Sequence, residues 1–365
     1  MKFKGAYGIY FCSKVGEEVA WIFIPLLGVE LGLSYLEIGV VMAAYQIGNA
    51  LSYSFFGWLS DTLNRRKPFI VLGCFLSTLA MYSHLLISDL PSMLFARTFA
   101  GLALGAAIYP LVAYVSSSKG YERFISLLNA AGSAGWLVGS LIAGSLSEYE
   151  LIFKAALICF AAALVLSLLI EESTEISVRD KAKVSFLEVV KRGKWLYTSY
   201  YLRHFAASNI WAVFPIFLAN LGANKFWIGI LYSLNCGVQV FSMNLAGYLA
   251  ERLKVEKLLV QAGIGLSTLV FTAYWLATNY LQLIPIQVML GFAWGFLYTG
   301  SLIYLVRRNP VERATATGFL GSTISIASIT GSFLGGVIAE VLTPSGNALV
   351  GALIAMSALL ISLKL

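Results

Sequence analysis

The chain has 365 residues, of which 59% are hydrophobic and only 12% charged, and its mean hydropathy is +0.81. This is more apolar surface than a water-soluble fold can bury, so the composition excludes a soluble enzyme or binding module and predicts an integral membrane protein. A net charge of +7 would suit nucleic acid. Most Lys and Arg residues, however, stand in short segments between apolar runs, which is typical of membrane topology and argues against that partner.

Twelve apolar runs are long enough, at roughly 20 residues each, to cross the hydrocarbon core as helices. They predict helices at about 6–28, 36–59, 69–87, 91–115, 124–146, 150–170, 195–219, 226–250, 257–276, 281–305, 313–341 and 345–363. Most connections are short, so consecutive helices should be antiparallel neighbours. The polar stretch 171–194 is the exception. We interpret it as a cytoplasmic linker between an amino-terminal bundle, 1–170, and a carboxy-terminal bundle, 195–365.

The positions of Lys and Arg predict the orientation in the membrane. With the amino terminus inside, 20 of the 25 cations fall in cytoplasmic segments and two, Lys154 and Lys225, fall outside. Both termini should therefore face the cytoplasm. The remaining three, Lys14, Arg97 and Arg203, lie inside predicted helices, where charge is costly and usually functional.

An internal duplication organises the sequence. A glycine, a carboxylate four residues later and then cations recur 190 positions apart, as Gly57, Asp61, Arg65 and Arg66 and as Gly247, Glu251 and Arg252. The same shift places Arg97 on Gln287, and it aligns the glycines that stand four and eight positions after each of them. Agreement of separate patterns on one offset indicates two homologous membrane halves.

The pattern Gly57-x-Leu-x-Asp61 followed by Arg65-Arg66-Lys67, set between twelve predicted helices, resembles the major facilitator superfamily of secondary transporters. The resemblance implies an all-α polytopic fold of two six-helix bundles related by a pseudo-twofold axis, with alternating access around a central site. It also implies that Asp61 forms a gate contact in one conformation, whereas the cations could serve only as positive-inside anchors. We expect the glycine to allow close approach of a neighbouring backbone.

Two further helices carry motifs similar to those of this family. In helix four, Arg97 with its two following glycines is similar to the arginine motif of proton-coupled members. In helix five, the stretch 135–144 is similar to the antiporter motif, but Ser140 stands where that motif has proline and Ala143 where it has glycine. Antiport is therefore suggested, and uptake remains an alternative.

Helix one places Lys14, Glu17 and Glu18 near the middle of the membrane. A charge there costs about 2.5–3.5 kcal/mol on insertion scales. Lys14 is in helical reach of both carboxylates but can neutralise only one. The other glutamate must face a wet cavity, meet Arg97 or hold a proton, and each option places it on a transport pathway. We expect Arg97 to control its protonation, although a purely structural ion network between helices one and four is the alternative.

Other polar and aromatic residues are candidates for a substrate cavity. Arg203 could recognise an anionic or polar group, but it could also extend its side chain toward the cytoplasmic interface, and His204 is either titratable or a hydrogen-bonded core residue. Aromatic residues here either line an amphipathic site or form interfacial belts and packing. The full candidate set is Trp21, Tyr109, Arg203, His204, Asn209, Gln287, Trp294 and Tyr298.

The sequence thus predicts a plasma-membrane secondary transporter that moves a small molecule, with protons as the coupling ion. Efflux of an amphipathic or drug-like compound is favoured over proton-linked uptake of a sugar, organic acid or other nutrient. A membrane enzyme acting on lipid would need clustered carboxylates or histidines at one face, and a receptor would usually need an appended soluble domain. The sequence offers no phosphate-binding loop and no metal-ligand spacing, so we expect no cofactor, no metal, no enzymatic activity and a monomer.

Overall fold

The computed structural model describes residues 3–63, 65–116, 121–172, 186–309 and 313–365. Contacts divide the chain into two compact units: unit 1 comprises Met1–Arg179 with Asn224–Ser233, and unit 2 comprises Asp180–Ala223 with Leu234–Leu365. Most of the predicted linker, 173–185, lies outside the described residues.

The described residues are almost entirely helical. The helices are α1 (Lys4–Trp21), α2 (Ile24–Glu30), α3 (Tyr35–Thr62), α4 (Lys67–His84), α5 (Leu90–Ser116), α6 (Tyr121–Ser145), α7 (Tyr149–Leu169), α8 (Phe186–Trp211), α9 (Phe214–Asn220), α10 (Lys225–Leu253), α11 (Glu256–Leu276), α12 (Leu283–Arg308) and α13 (Arg313–Ser362). A short 3-10 turn, Tyr280–Gln282, precedes α12. Within α13, Thr343 has a φ of 65° and Pro344 follows it, so α13 is two helices joined at a kink. This break lies where the sequence separates 313–341 from 345–363.

Two spans that the sequence predicts as continuous helices are broken. α1 ends at Trp21 and α2 resumes with Pro25 in its first turn, while α8 ends at Trp211 and α9 resumes with Pro215. Proline has no backbone N–H to donate, so it fits the first turn of a helix but interrupts a helix interior. Uninterrupted helices over 6–28 and 195–219 were therefore wrong, and α8 and α9 meet at a bend of 52°.

The breaks repeat at the offset found in the sequence. Pro25 and Pro215 are 190 positions apart, as are Gly32 and Gly222, whose φ angles are 76° and 88°. Glycine adopts a positive φ without the steric strain that a Cβ would cause, so both copies favour glycine after the short helix. The next helix in each copy has the same kind of N-cap: the Ser34 hydroxyl accepts from the Glu37 amide at 3.3 Å, and the Asn224 side chain accepts from the Trp227 amide at 3.0 Å.

The helices carry apolar side chains both in the core of the fold and on its exposed surface. Among the described residues seven helices are long and apolar enough to cross a membrane, or eight if the bent pair α8–α9 is one span. Unit 1 packs α1, α4, α5 and α7 around residues such as Ile9, Ile70 and Leu111. On the outer face of α7, Ile158 and Leu169 are 66% and 74% exposed, and such surface suits contact with lipid.

Glycines on α5 and α12 set the packing that positions the polar residues. A Cβ at Gly101 would collide with the carbonyl oxygen of Tyr45, and one at Gly105 would lie 2.7 Å from the hydroxyl of Ser52. A Cβ at Gly295 of α12 would likewise collide with the hydroxyl of Ser242 on α10. α3 therefore lies against α5, and α10 against α12, at backbone distance.

Candidate functional site

A cluster of charged side chains occupies the middle of α1 in unit 1. The Lys14 ammonium donates to Glu17 Oε2 at 2.6 Å, and the Tyr45 hydroxyl of α3 donates to Glu17 Oε1 at 2.7 Å. The ammonium also lies 5.0 Å from the ring centroid of Trp136. Both oxygens of Glu17 thus accept a hydrogen bond, and these contacts join α1 to α3 through Tyr45.

Glu18 is the carboxyl group that Lys14 does not bind. It is 9% exposed and lies within hydrogen-bond distance, 3.0 Å, of the Ser140 hydroxyl on α6. Gly139 allows this approach, because a Cβ there would lie 2.7 Å from the Glu18 Cβ. No ion pair to Glu18 occurs within the described part of the chain.

Ser140 gives Glu18 two alternative hydrogen-bond arrangements. Its hydroxyl is 2.9 Å from the Trp136 carbonyl oxygen as well as 3.0 Å from Glu18 Oε1. A hydroxyl has one proton to donate. If Glu18 is ionised, Ser140 donates to it. If Glu18 is protonated, the acid donates to the hydroxyl, which can then donate to the carbonyl, so the pair accommodates a proton without leaving a buried donor or acceptor unsatisfied.

Arg97 of α5 lies on the other side of Tyr45. Its side chain is 1% exposed, its Cζ is 4.3 Å from the Tyr45 ring centroid, and its Nε and Nη2 have no hydrogen-bond partner among the described residues. A cavity of about 10 Å³, close to the minimum space for one water molecule, is lined by Arg97, Glu17 and Ser77. Arg97 and Glu17 thus share a cavity without forming an ion pair.

Unit 2 carries the amide counterpart of this arrangement. Gln287, at the position equivalent to Arg97, is 1% exposed and accepts from the Asn235 side chain at 3.2 Å. Asn235 stands 190 positions after Tyr45. The cation and aromatic ring of the first copy are therefore replaced by two neutral amides in the second.

A second polar cluster lies in unit 2 around α8. Arg203 is fully buried and donates from Nε to the Ser267 hydroxyl at 2.8 Å. His204 Nε2 is 3.0 Å from the Ser328 hydroxyl. Trp294 of α12 contacts both residues, with its ring 5.3 Å from the guanidinium carbon and 5.4 Å from the imidazole. Tyr298 stacks on Trp294 at 5.7 Å.

The other predicted cavity residues have different surroundings. Asn209 is fully buried and exchanges hydrogen bonds with Asn347 of α13 at 2.9 and 3.0 Å, so its polar groups join two helices. Trp21 packs edge-on to Tyr232 at 6.5 Å within unit 1, and Tyr109 is half-buried on α5. The contact of Asn209 does not involve Arg203 or His204 of unit 2, and the contact of Trp21 does not involve the charged residues of α1.

The repeated glycines lie in the last turns of α3 and α10. A Cβ at Gly57 or at Gly247 would meet nothing within 4 Å among the described residues, so neither glycine is at a close backbone contact in this conformation. Arg66 donates to the Ser60 hydroxyl at 2.7 Å. The Asp61 side chain lies outside the described residues. Arg65, Glu251 and Arg252 are exposed.

Sequence reasoning missed several partners of the predicted site. Tyr45 and Ser140 are distant in sequence from α1, and helical periodicity on α1 cannot identify them. Glu172 accepts from the Arg66 amide at 2.8 Å at the start of α4, where a carboxylate is favourable. The offset of 190 could have indicated one pair, since it relates Tyr45 to a polar residue, Asn235.

Comparisons with known proteins agree with this geometry. The chain is 27% identical over 348 residues to a Bacillus subtilis (strain 168) protein named as a niacin/nicotinamide transporter, NiaP, covering 87% of this chain and 82% of the relative. It is 24% identical over 353 residues to the multidrug resistance protein MdtH of Yersinia pestis (strain Pestoides F), covering 91% and 81%. A bacterial homologue of the lysosomal transporter Spinster, solved in an inward-facing and occupied conformation, superimposes with a TM-score of 0.84 at 13% identity, covering 99% of this chain and 95% of that one. The family model of the Major Facilitator Superfamily matches residues 6–204 and 196–365, and this chain belongs to that superfamily of transporters.

Proposed function

We propose that this transporter couples movement of an amphipathic small molecule to protons, with Glu18 as the group that binds and releases the proton. The observation that carries the proposal is the contact between Glu18 and Ser140 at 3.0 Å. The hydroxyl can satisfy either form of the acid. A membrane carboxyl group with two satisfied protonation states is suited to carrying a proton between the two faces.

Glu17 and Arg97 act on Glu18 indirectly in this proposal. Glu17 is held in place because Lys14 and Tyr45 hydrogen-bond both of its oxygens. Arg97 shares the adjoining cavity, where its positive charge favours negative charge on α1. A movement of α5 relative to α1 would weaken this attraction and favour protonation of Glu18, which links the proton to a conformational change.

Efflux by proton antiport is the first candidate direction. The similarity of α6 to the antiporter motif supports it, as does the resemblance to MdtH, which is named for multidrug resistance. Proton-linked uptake is the second candidate, supported by the resemblance to NiaP, which is named for niacin or nicotinamide transport. In either case we propose a plasma-membrane monomer with both termini in the cytoplasm.

Proteoliposomes containing the purified chain test the coupling and its direction. Ethidium, norfloxacin and nicotinate would be added outside the vesicles as a cationic, a zwitterionic and an anionic probe. Accumulation driven by an acidic lumen indicates antiport, and accumulation driven by an acidic exterior indicates symport. Glu18→Gln should lose gradient-driven accumulation but keep exchange across equal pH, because the amide imitates the protonated acid.

A matched control is Glu150→Gln on the exposed start of α7, where Glu150 pairs only with Lys154. This variant should behave like the wild type. Full gradient-driven accumulation by Glu18→Gln would refute the role of Glu18, and pH-independent transport by the wild type would refute proton coupling.

A further inference from the structure

We propose that Arg203 binds the carboxylate of the transported molecule and that this molecule is a small aromatic carboxylate. The inference rests on the transport function proposed above, because it names the substrate class of that transporter. It concerns unit 2 alone and depends on the charge, the hydrogen bonding and the aromatic surroundings of one buried guanidinium.

Arg203 is a buried cation without an ion-pair partner among the described residues of unit 2. It is 0% exposed, and neither Nη1 nor Nη2 has a hydrogen-bond partner among those residues. The described glutamates of unit 2 form no ion pair with it; they are Glu188, Glu251, Glu256 and Glu340. Burying a charge without a counter-ion is unfavourable, so an anion that reaches Nη1 and Nη2 would offset part of that cost.

The internal duplication shows how the two copies differ at this point. Arg203 and Ser267 correspond to Ser13 and Ser77 of unit 1, since each pair is related by the offset of 190. Ser77 lines the cavity that Arg97 and Glu17 share. Unit 2 therefore directs a guanidinium into the equivalent space from a different helix, but Ala207 stands where unit 1 has Glu17. The second copy therefore has no counterpart of Glu17, the carboxylate that could neutralise the guanidinium.

Aromatic rings surround the unpaired guanidinium. Its Cζ lies 5.3 Å from the ring centroid of Trp294 and 5.9 Å from that of Phe271. Trp294 is half-buried, as are Trp211, at 6.3 Å, and Tyr298, which stacks on it. A single ring thus separates Arg203 from a partly exposed aromatic surface. Beside the same indole, His204 adds a third polar atom without a hydrogen-bond partner among the described residues, Nδ1.

The chemistry of these groups selects the ligand class. The guanidinium fork matches the two oxygens of a carboxylate better than it matches a single-atom anion. Indole and phenol rings favour a planar aromatic partner that can stack on them. A ligand that carries both groups would place its carboxylate on Nη1 and Nη2 and its ring against Trp294 after this indole changes rotamer.

Benzoate is the simplest probe of this class, and three compounds separate the contributions. Benzamide keeps the ring and shape without the charge, and cyclohexanecarboxylate keeps the charge without the aromatic ring. We expect benzoate to raise the apparent melting temperature of the purified full chain and to quench tryptophan fluorescence, since a ligand of the folded state stabilises it. Benzamide and cyclohexanecarboxylate should bind at least tenfold more weakly.

Variants test the assigned atoms. Arg203→Gln should lose benzoate binding, and Arg203→Lys, which keeps the charge but loses the fork, should weaken it at least tenfold. Trp294→Leu should weaken benzoate more than cyclohexanecarboxylate. Arg192→Gln, an exposed arginine on the same helix, should bind benzoate like the wild type. If Arg203→Gln fails to fold, the ligand series on the wild type and on Arg203→Lys still decides.

The outcome also separates this inference from the proposed proton coupling. Equal binding of benzoate and benzamide, or wild-type binding by Arg203→Lys, would overturn the assignment of Arg203. Glu18→Gln should still bind benzoate, because the site lies in unit 2. If the wild type transports only a neutral or cationic probe and does so with protons, the anion site is refuted while the coupling proposal stands.

Discussion

Replacing Arg97 with Gln should stabilise the protein while removing its proton-driven transport. The structure allows the size of the effect to be worked out. Two guanidinium nitrogens have no hydrogen-bond partner among the described residues, and each such buried group costs about 1–3 kcal/mol. Against this, the substitution loses the contact with the Tyr45 ring at 4.3 Å, worth about 2 kcal/mol when desolvated. The net expectation is a gain of roughly 0–4 kcal/mol in the free energy of unfolding.

If Arg97 instead belongs to a structural ion network, Arg97→Gln should lower the free energy of unfolding. Removing one partner of a buried pair costs about 3–5 kcal/mol. Thermal and denaturant unfolding of the purified variant would measure the difference. Arg252→Gln is a matched control for stability alone, because Arg252 also lies over a tyrosine ring, at 5.3 Å from Tyr248, but is exposed. Its unfolding free energy should change by less than about 0.5 kcal/mol.

Transport by the same variant completes the test. Gln287 shows that the fold accepts a glutamine at the equivalent position of unit 2, where it accepts from Asn235 at 3.2 Å. Arg97→Gln should therefore reach the membrane and fold, yet accumulate no probe above the level without a pH gradient. A stability loss of several kcal/mol, or undiminished gradient-driven accumulation, would show that the reasoning about Arg97 is wrong.

Three further predictions concern packing and charge. Gly229→Val should lower the free energy of unfolding by about 1–3 kcal/mol through overpacking, because a Cβ at this position would lie 2.6 Å from backbone atoms of α6. Gly57→Val is the control: a Cβ there would meet nothing within 4 Å among the described residues. In the same thermal unfolding experiment, its free energy of unfolding should be almost unchanged. Asn347→Ala removes the side-chain hydrogen bonds from Asn347 to Asn209 that join α13 to α8 and should cost about 2–4 kcal/mol; a cost equal to that of the exposed Asn244→Ala would contradict this. Lys14→Ala leaves a carboxylate without its ion-pair partner at 2.6 Å and should cost about 3 kcal/mol, measured by denaturant unfolding.

Much of the fold could be predicted because hydropathy and duplication act locally along the chain. The lengths of the apolar runs predict the helices, and the single offset of 190 aligns Arg97 with Gln287 from the sequence alone. The helix breaks were missed although Pro25 and Pro215 stand 190 positions apart in otherwise apolar runs. A shared proline at one offset is the signal that could have identified both breaks.

The site could be predicted only as far as helical geometry reaches. Spacing on α1 correctly indicated that Lys14 would leave one of two carboxylates without it, and contacts from other helices determined which one. Tyr45 binds Glu17 and Ser140 binds Glu18, and such tertiary partners leave no trace in the periodicity of α1. The expectation for Gly57 stays a prediction for a similar reason, since a glycine permits a close contact but does not require one in every conformation.

The two buried guanidiniums have an evolutionary consequence. Each repeat keeps one arginine for its interior, but Arg97 comes with an acid on a neighbouring helix and Arg203 comes without one. Under the roles proposed for Glu18 and Arg203, selection can change what the second repeat recognises by altering a few aromatic neighbours, while the first repeat retains the proton-coupling residues. Among proteins with this arrangement, we expect the transported molecule to vary more than the coupling ion.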